Sequence, residues 1–535
     1  MQDHTPYMQS AAADYYAKGY WKRQDFWTSF ADCAALHPDR IAFMVDDTQI
    51  TFSELLDASQ RLGAGLQSRG ITAGDVVVIH GRNTIEAVQA MLACAYVGAV
   101  MTPVPPMFSV SQLATICQSS HAKMLIALTG PKDMARSIEA ARAARVKLIA
   151  VPDAVATQPD LLPWSGLFGD PPSTQRSSID ADALALLVYS SGTTGAPKGV
   201  MHSANTARYA IEQRSRLHGI SAQDVGLVAA QFGFVGSAVF GLLLGAFTGM
   251  TQILMHSWNA GAAVRLIEKH RVSYAMLMPT HVHDVLASPE LDTADVSSLT
   301  RCGMSGLPRK NRIEVQRRFC PKPLPTYGMS ECLGYATCGI TESDDKLIET
   351  DGFPFPGTHT VVLGEDGKPA PTGATGPIIV RGPSRFLGYY GSPKLTDAAL
   401  TEDGYYRTGD IGKLDADGYL SFVARVNDII RRGGIMIVPG DTEAVLMNHP
   451  RIEHVAIVGL PDSRLGERAC ACLISRDGEP ITLEEVTAFL EQRQVARYTW
   501  PESVAMFKTF PRSASLKVQK RVLIEQLVEG QEATS

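Results

Sequence analysis

Apolar and polar positions alternate between two periods along the first part of the chain. Segments with helical spacing, such as Leu55–Leu66 and Ile85–Val97, are interspersed with short apolar runs such as Val76–Ile79, Met124–Ala127 and Leu148–Val151. Helical and strand patterns in alternation predict a parallel sheet packed between helices. The alternation resumes after residue 225, so we expect a second, similar sheet.

The pattern changes beyond Gly352, where short apolar runs are separated by Asp-Gly pairs. These pairs, which favour antiparallel hairpins, are Asp366-Gly367, Asp403-Gly404 and Asp417-Gly418. Beyond Arg425 the order reads strand, helix, strand, strand, helix, strand. This final stretch is long enough for a separate small α+β domain.

The length of the chain, 535 residues, exceeds what one hydrophobic core usually organises. We therefore predict an α/β protein with two domains. The large N-terminal domain, residues 1–424, has parallel-rich sheets flanked by helices and a small β-barrel-like part. A hinge joins it to a small mobile C-terminal α+β domain, residues 425–535.

Composition and the amino-terminal sequence limit the classes of partner and the cellular compartment that we expect. A net charge of -6 and a pI near 6.1 give no general attraction to nucleic acid. The amino terminus, MQDHTPYMQS, lacks the basic flank and apolar core of a secretion signal. The most membrane-like stretch, Val239–Met255, is interrupted by glycines and polar residues and predicts a core helix followed by a core strand. We expect a cytoplasmic protein with no membrane span and nine cysteines as buried free thiols.

A polar loop follows the apolar run Leu184–Val188. The sequence from Leu187 to Ser203 is LVYSSGTTGAPKGVMHS, in which glycine amides, hydroxyls and the Lys198 amine predict a phosphate-binding loop. A P-loop is excluded because Pro197 precedes that lysine and Gly199 follows it, where a magnesium-binding hydroxyl is required. A flexible linker is the alternative. The candidate phosphate contacts within the loop are Ser190, Ser191, Gly192, Thr193, Thr194 and Gly195.

Two further clusters carry groups suited to a nucleotide. Thr326-Tyr-Gly-Met-Ser-Glu331 combines an aromatic ring, a hydroxyl and a carboxylate that can share Mg²⁺ with phosphates. In Tyr406-Arg-Thr-Gly-Asp410 the carboxylate follows a glycine turn and can accept hydrogen bonds from both ribose hydroxyls. A solvated turn acid is the alternative for Asp410.

The three motifs, in this order, resemble those of the adenylate-forming superfamily, which includes acyl- and aryl-CoA ligases, luciferases and the adenylation domains of peptide synthetases. The resemblance covers nearly the whole chain and is nearest to bacterial cyclohexanecarboxylate-type acid:CoA ligases. It implies that a carboxylate attacks the α-phosphorus of ATP and that a thiol then takes the acyl group. ATP, Mg²⁺ and coenzyme A are the implied cofactors and co-substrates.

The resemblance also implies roles for residues around the nucleotide. Glu331 would bind the metal, Tyr327 would stack against adenine, and Ser330 would contact the α-phosphate. Gly328 would allow the nucleotide to approach the backbone closely. The segment Cys302–Pro308 resembles the adenine-flanking segment, in which Ser305 and Gly306 line the site. Asp410 takes the ribose role and Arg425 a nucleotide contact.

Further roles fall at the carboxyl end of the chain. Asn427 stands where the family usually carries an Asp or Lys that acts as the domain hinge. The segment Pro511–Lys520 resembles the catalytic loop, which makes Lys517 the residue that meets the carboxylate and the α-phosphate, with Lys520 as the alternative. Leu516 replaces the usual glycine there, which would strain the loop if the native φ is positive.

The segment Gln231–Ser237 resembles the family's acid-binding segment. Aryl-acid members carry an asparagine where this chain places Phe232, and together with Phe234 and Phe240 this residue predicts an apolar wall. Gly236 and Ser237 complete the candidate pocket. We expect a hydrophobic carboxylic acid (alicyclic, aromatic or medium-chain) rather than a hydroxybenzoate or an amino acid. Simple core packing is the alternative.

One histidine cluster invites a metal hypothesis. His281, His283 and Asp284 lie close in sequence, but at i and i+2 on a helix the two rings would diverge, so a structural role is favoured over zinc.

Three functions stay open at this point. The first is an acid:CoA ligase, and the second is a stand-alone adenylation enzyme that loads a carrier protein's phosphopantetheine arm. The third is a non-catalytic nucleotide-binding relative, suggested by Leu516 and Asn427. A homodimer is left open.

Overall fold

The structure is a computed structural model that describes residues 6–171, 176, 178–190, 197–433, 435–512 and 518–532. The chain forms two compact units. The first unit comprises Met1–Thr360, Ile379–Arg407 and Asp415–Ser421, and the second comprises Val361–Ile378, Thr408–Leu414 and Phe422–Ser535.

Two large sheets build the first unit. In the described part of the chain, one sheet has nine strands in the spatial order Phe353–Pro354, Ala336–Thr337, Lys322–Tyr327, Arg301–Ser305, Tyr274–Leu277, Val225–Val228, Thr251–Leu254, Ile41–Val45 and Thr48–Thr51. Its six central strands are parallel, and the remaining pairings, at the two ends, are antiparallel. The expected second sheet is therefore confirmed.

The other sheet of the first unit is built from the earlier strand patterns. Its eight described strands follow the order Gly388–Tyr389, Lys198–Ser203, Leu184–Ser190, Val100–Val104, Val76–Gly81, Met124–Leu128, Leu148–Val151 and Leu161–Pro163. Every residue of Val76–Gly81 and Met124–Leu128 is buried, as expected for parallel strands covered on both faces. The first two pairings are antiparallel, and the strands Leu184–Ser190 and Lys198–Ser203 form the antiparallel pair called the hairpin below.

The two segments with helical spacing named above are helical: Leu55–Leu66 lies within Phe52–Ser68, and Ile85–Val97 is a helix with those bounds. Phe52–Ser68 begins with a capping box, in which the Thr51 and Glu54 side chains each bond the other's backbone amide. The other longer helices of this unit are Pro6–Ala17, Phe26–Leu36, Ile85–Val97, Val110–Ser119, Pro131–Ala143, Ala204–Leu217, Ala260–His270, Pro279–Ala287 and Arg309–Arg318; shorter ones are Asp344–Glu349 and Pro393–Ala399.

One helix departs from regular geometry. It runs through Val235–Ser237, a π-helical turn at Ala238–Leu243 and an α-helical end at Leu244–Thr248. The sequence predicted a core helix here, and the residues of the π-helical turn are indeed buried. The π-helical geometry itself was not predicted. Such turns are rare and occur mostly at functional sites.

The Asp-Gly hairpins form a four-stranded sheet. Its strands are His359–Val362, Gly376–Arg381, Tyr406–Leu414 and Leu420–Arg425. Around Asp366-Gly367, an antiparallel bridge joins Leu363 to Pro369, which confirms the predicted turn.

The second unit has a sheet covered on both faces. The described strands follow the order Ile435–Ile437, Ile430–Arg432, Gly466–Ser475 and Ile452–Asp462, and Ser503–Met506 pairs with Gly466–Ser475. Ala469, Ala471 and Leu473 face the core under the helices Pro439–Leu446 and Leu483–Gln492. Cys470 and Cys472 face the opposite core, where Leu523 of a terminal helix, Lys520–Glu532, is buried. The sequence order given for this unit omitted that helix.

The cysteines behave as predicted. All nine lie within the described ranges, and each is buried and free of a disulfide. Among the described helices, none combines the length and apolar character needed to cross a membrane.

Candidate active site

Four parallel strands of the nine-stranded sheet send their following segments to one edge. The strands are adjacent, with Val228 opposite Met276, Leu277 opposite Met304, and Ser305 opposite Thr326. Because the carboxyl ends of parallel strands meet at the same edge, the segments that begin at Ala229, Met278, Gly306 and Gly328 leave the sheet together. Ligands of open α/β sheets bind in the crevice at this edge.

The predicted nucleotide motif begins at the end of the strand Lys322–Tyr327. Tyr327 is buried, and its ring packs edge-on against Tyr335 with the centroids 5.5 Å apart. Gly328 has φ +156°, and a Cβ there would lie 2.3 Å from the Cα of Gly334. The chain therefore folds back on itself with two glycines in backbone contact, which brings Ser330 and Glu331 to the edge of the sheet.

The carboxylate of Glu331 has two tyrosines beside it. Tyr389 donates its phenolic hydrogen to Glu331 Oε1 over 2.8 Å, and the charge of the same carboxylate acts on Tyr406. Burial and then the Glu331 carboxylate raise the pKa of both tyrosines, so both remain protonated donors at neutral pH. Phe386 packs against both tyrosine rings, and its backbone N–H donates to the Glu331 carbonyl over 2.7 Å.

The predicted phosphate lysine lies next to the same tyrosine. Lys198 opens the strand Lys198–Ser203, and its Nζ lies 5.8 Å from the centre of the Tyr389 ring. The backbone N–H of Tyr390 donates to the Gly199 carbonyl over 2.8 Å, which fixes this segment beside the hairpin. Tyr389 thus has the Lys198 amine near its ring and the Glu331 carboxylate at its hydroxyl.

A buried histidine joins the hairpin to the nucleotide motif. His202 Nε2 lies 2.8 Å from the Ser330 carbonyl, and Nδ1 lies 3.1 Å from the Thr206 hydroxyl. Burial lowers the pKa of His202 to about 4, so the ring is neutral at pH 7. A carbonyl only accepts, so Nε2 carries the hydrogen and donates to Ser330.

The surroundings of Glu331 suit a divalent cation. The residue is 9% exposed, and none of the ion pairs formed by the described side chains includes it. A buried carboxylate without a counter-charge is costly, and Mg²⁺ bound through one carboxylate and substrate phosphates would supply that charge. Among the described residues no cluster of three His, Cys, Asp or Glu side chains could hold a metal by itself.

The adenine-flanking segment leaves the neighbouring strand. Ser305 is the last residue of the strand Arg301–Ser305 and is half-buried. Gly306 has φ +66°, and the nearest atom to a Cβ placed there is Pro279 Cγ at 4.0 Å, so this turn faces open space. The open space at this turn suits the predicted role of both residues beside a ligand.

The predicted acid-binding segment is held tightly between the two large sheets. Gly233 has φ +93°, and a Cβ there would lie 2.5 Å from Pro105, which follows the strand Val100–Val104. Phe232 and Ser237 are buried, whereas Phe234 and Gly236 are half-buried.

The hydroxyl of Ser237 is engaged inside the protein. It donates to Asn83 Oδ1 over 2.6 Å, and the Asn83 amide donates to the carbonyls of Ala230 and Met255. This network ties the acid segment to the end of the strand Val76–Gly81 and leads directly into the π-helical turn.

The predicted ribose carboxylate and its arginine meet within the second unit. Asp410 is 2% exposed, and Arg425 Nε lies 2.7 Å from its Oδ1. The Asp410 backbone N–H donates to the Thr408 hydroxyl over 3.1 Å, which shapes the glycine turn that precedes it. Asn427 lies exposed in a 3-10 turn at Val426–Asp428.

Several predicted residues lie outside the described part of the chain. These are Ser191, Gly192, Thr193, Thr194, Gly195, Leu516 and Lys517, together with the side chain of Ser190. The alternative lysine is described: Lys520 Nζ forms an ion pair with Glu443 over 2.8 Å at the start of the terminal helix. That pairing favours a structural role for Lys520.

The histidine cluster is structural, as expected. His281 is buried, its ring lies 4.2 Å from that of Trp258, and its Nδ1 accepts the backbone N–H of Met278. His283 is exposed on the other side of the helix. The Asp284 carboxylate accepts from the Trp258 indole over 2.7 Å.

Sequence reasoning missed three residues of this site. Tyr389 and Tyr406 are remote from Glu331 in sequence, and His202 lies in the polar-loop sequence without any pattern that marks it. Tyr389 lies in a two-residue strand, Gly388–Tyr389, which is too short for a periodic pattern to mark it in the sequence.

Comparison with known proteins agrees with this architecture. Residues 30–390 match the family described as AMP-binding enzyme, and residues 441–517 match the AMP-binding enzyme C-terminal domain. The chain is 30% identical over 522 residues to the medium-chain fatty-acid–CoA ligase of Escherichia coli (strain K12), across 96% of this chain and 92% of that protein.

A second relative has a different acceptor in its name. The salicyl-AMP ligase / salicyl-S-ArCP synthetase of Mycobacterium tuberculosis is 30% identical over 544 residues, across 98% of this chain and 94% of that protein. The crystal structure of ATP-bound MatB from Rhodopseudomonas palustris has the same fold, with a TM-score of 0.83 and 24% identity over 94% of this chain and 99% of that chain.

Proposed function

This chain belongs to the AMP-binding enzyme family of adenylate-forming enzymes, and from that premise we propose that it is an AMP-forming acid:CoA ligase for a hydrophobic carboxylic acid. The observation that carries the proposal is the arrangement around Tyr389, which brings the Lys198 amine and the Glu331 carboxylate to one edge of the nine-stranded sheet. Opposite charges placed this way suit a metal-bound triphosphate.

The acid must be activated before acyl transfer, because a free carboxylate has a poor leaving group. Attack of the acid oxygen on the α-phosphorus of ATP expels pyrophosphate and turns the leaving group into AMP. This chain's residues contribute position and charge rather than a nucleophile: Lys198 binds phosphate oxygens, and the resemblance gives Lys517 the reacting oxygens. Mg²⁺ held by Glu331 would neutralise phosphate charge.

The remaining nucleotide contacts take the roles implied by the resemblance. Tyr327, Ser305 and Gly306 would lie against adenine, and Ser330 would contact the α-phosphate. Gly328 would allow the nucleotide to approach the backbone closely. In the second unit, Asp410 would accept from the ribose hydroxyls with Arg425 as its partner. Asn427 would act as the hinge between the domains 1–424 and 425–535.

The acid is proposed to be alicyclic, aromatic or medium-chain. Phe232, Phe234 and Phe240 would supply an apolar wall, with Gly236 in the same segment. The name of the Escherichia coli relative, a medium-chain fatty-acid–CoA ligase, supports a hydrophobic acid and coenzyme A as acceptor.

Loading of a carrier protein is the second candidate function. It is favoured by the printed name of the mycobacterial relative, which pairs an AMP ligase with an ArCP synthetase. Both candidates share the adenylation step and differ in the thiol that takes the acyl group.

The deciding experiment measures both half-reactions. We expect pyrophosphate exchange that depends on an apolar acid, followed by AMP release that depends on coenzyme A. Acyl transfer to a purified carrier protein but not to coenzyme A would select the second function. ATP binding without exchange for any acid of the panel would contradict both.

A further inference from the structure

An arginine is enclosed behind the acid segment. Arg214 lies on the helix Ala204–Leu217 and is fully buried. Its guanidinium carbon lies 3.8 Å from the centre of the Phe240 ring, in the π-helical turn. One neighbour of the guanidinium, Phe240, therefore belongs to the predicted acid pocket.

The acceptors available to Arg214 are poor. Nη1 lies 3.4 Å from the sulfur of Met276, Nη2 donates to the Gly334 carbonyl over 3.3 Å, and Nε has no acceptor within the described structure. A thioether is a weak acceptor, and a guanidinium offers five donors. The group is thus charged, buried and short of oxygen partners.

No carboxylate balances this charge in the described part of the chain. The ion pairs there do not include Arg214, and the undescribed loop 191–196 contains no acidic residue. The nearby His218 is neutral, because burial and then the Arg214 charge lower its pKa. A buried cation without a counter-charge is unfavourable unless a ligand supplies it.

Two other buried arginines of the first unit, Arg208 and Arg312, are better satisfied. Arg208, on the same helix, donates to the backbone carbonyls of Gln24 and Lys22 and to Asn205 Oδ1. Arg312 donates to backbone carbonyls and pairs with Asp351. Arg214 differs from both because its hydrogen-bond acceptors are a sulfur and a single carbonyl, with the Tyr274 hydroxyl as a further polar neighbour.

The position of Arg214 links the segments that form the pocket. Met276 contacts its Nη1 and also lies beside Gly236, since a Cβ placed on that glycine would be 3.9 Å from the Met276 methyl. A Cβ on Gly334 would lie 2.6 Å from Arg214 Nη2. The guanidinium therefore adjoins the acid segment on one side and the backbone that follows Glu331 on the other.

We propose that Arg214 binds an acceptor-only oxygen, a ketone or a second carboxylate, at the end of the substrate acid remote from the reacting carboxylate. This inference rests on the proposed function and narrows its substrate class. A guanidinium only donates, so it matches an oxygen that only accepts. The substrate is then an apolar body with one polar end.

Met276 is the side chain that would change its rotamer when the substrate binds. Methionine is unbranched and adapts its rotamers readily, and its sulfur occupies the place of an oxygen acceptor at Nη1. An oxygen there would accept charge-assisted hydrogen bonds from Nη1 and from Nε.

The test compares matched acids in pyrophosphate exchange. The acids are cyclohexanecarboxylate, 4-oxocyclohexanecarboxylate and cyclohexane-1,4-dicarboxylate, and the readout is kcat/KM relative to the unsubstituted acid. In the wild-type enzyme we expect the oxo acid or the diacid to exceed the unsubstituted acid at least tenfold. In Arg214→Met that preference should fall about 10-fold to 100-fold, the size expected for hydrogen bonds to a charged group.

Two further variants guard against a merely structural effect. Arg208→Met removes an equally buried arginine from the same helix and should change the thermal midpoint without changing the preference. Met276→Glu places a carboxylate at Nη1, which should abolish the preference while Arg214 is retained. Comparison of kcat/KM for the oxo acid and for the diacid shows whether Arg214 binds a ketone oxygen or a carboxylate oxygen.

Each result decides a separate point. Exchange with equal preference in wild type and Arg214→Met, or an unchanged preference in Met276→Glu, overturns the role of Arg214 and leaves the proposed function standing. Absence of exchange with every acid overturns the proposed function and this inference with it.

Discussion

Tyr389 donates a hydrogen bond to the carboxylate of Glu331 over 2.8 Å, although Tyr389 lies on the eight-stranded sheet and Glu331 follows a strand of the nine-stranded sheet. The bond holds one oxygen of the Glu331 carboxylate in place. The carboxylate can still bind the proposed metal ion. Phe386 packs edge-on against the Tyr389 ring and also against the ring of Tyr406.

We predict that Tyr389→Phe weakens binding of Mg²⁺-ATP about 10-fold or more, because one hydrogen bond to a charged group is worth about 1.5–3 kcal/mol. Isothermal titration calorimetry with and without Mg²⁺ measures the effect, and binding of metal-free ATP should change less. Tyr390→Phe is the matched control, since its hydroxyl contacts only the Ser120 carbonyl in the described structure, at 3.4 Å. Equal losses in the two variants would contradict this role for Tyr389.

His202 should make the protein less stable in acid. Its pKa is about 4 in the folded state and about 6.5 when exposed, so between those values the unfolded chain binds more protons. The free energy of unfolding therefore falls as the pH drops from about 6.5 to about 4, by up to about 3 kcal/mol for this residue.

The matched variant is His202→Gln, which can keep a donor near the Ser330 carbonyl without titrating in this range. Denaturant unfolding between pH 4 and 7 should show a smaller decline in the variant than in the wild type. Burial lowers the pKa of His80 and His281 to about 4 as well, so both proteins retain part of the decline. Parallel curves would refute the assignment.

Asp410 should distinguish ribose from deoxyribose. If its carboxylate accepts from the ribose hydroxyls, Asp410→Ala should raise the KM for ATP about 10-fold, as expected for lost hydrogen bonds to a charged group. The same variant should change the KM for 2′-deoxy-ATP less. Arg425→Ala removes the ion-pair partner of Asp410 and should have a smaller effect on the ratio of the KM values for ATP and 2′-deoxy-ATP. An ATP to 2′-deoxy-ATP ratio that is the same in wild type and Asp410→Ala would exclude the ribose role.

Lys517→Ala should slow adenylation without weakening ATP binding. Removal of one group that stabilises transition-state charge typically costs about 10²-fold to 10³-fold in rate. Acid-dependent pyrophosphate exchange measures the rate, and calorimetry measures ATP binding. Lys508→Ala, at an exposed position of the second unit, is the control. A larger loss in Lys520→Ala than in Lys517→Ala would transfer the role to the alternative lysine.

Local patterns were sufficient for several strands and helices of the first unit. The strand at Val76–Gly81 and the helix at Ile85–Val97 follow directly from apolar spacing, because each period reports which side of an element is buried. The terminal helix Lys520–Glu532 was missed, although its Leu523 is fully buried in the core on one face of the second unit's sheet.

What the sequence determined by itself was the order of elements and the motifs that carry Lys198, Glu331 and Asp410, since these depend on residues close together in the chain. Only the tertiary structure decided that Tyr389 reaches Glu331, that His202 holds Ser330, and that Arg214 is enclosed without a carboxylate. The physical reason is that a hydrogen bond or an unbalanced charge depends on distance in space. Strand order, not sequence separation, sets that distance.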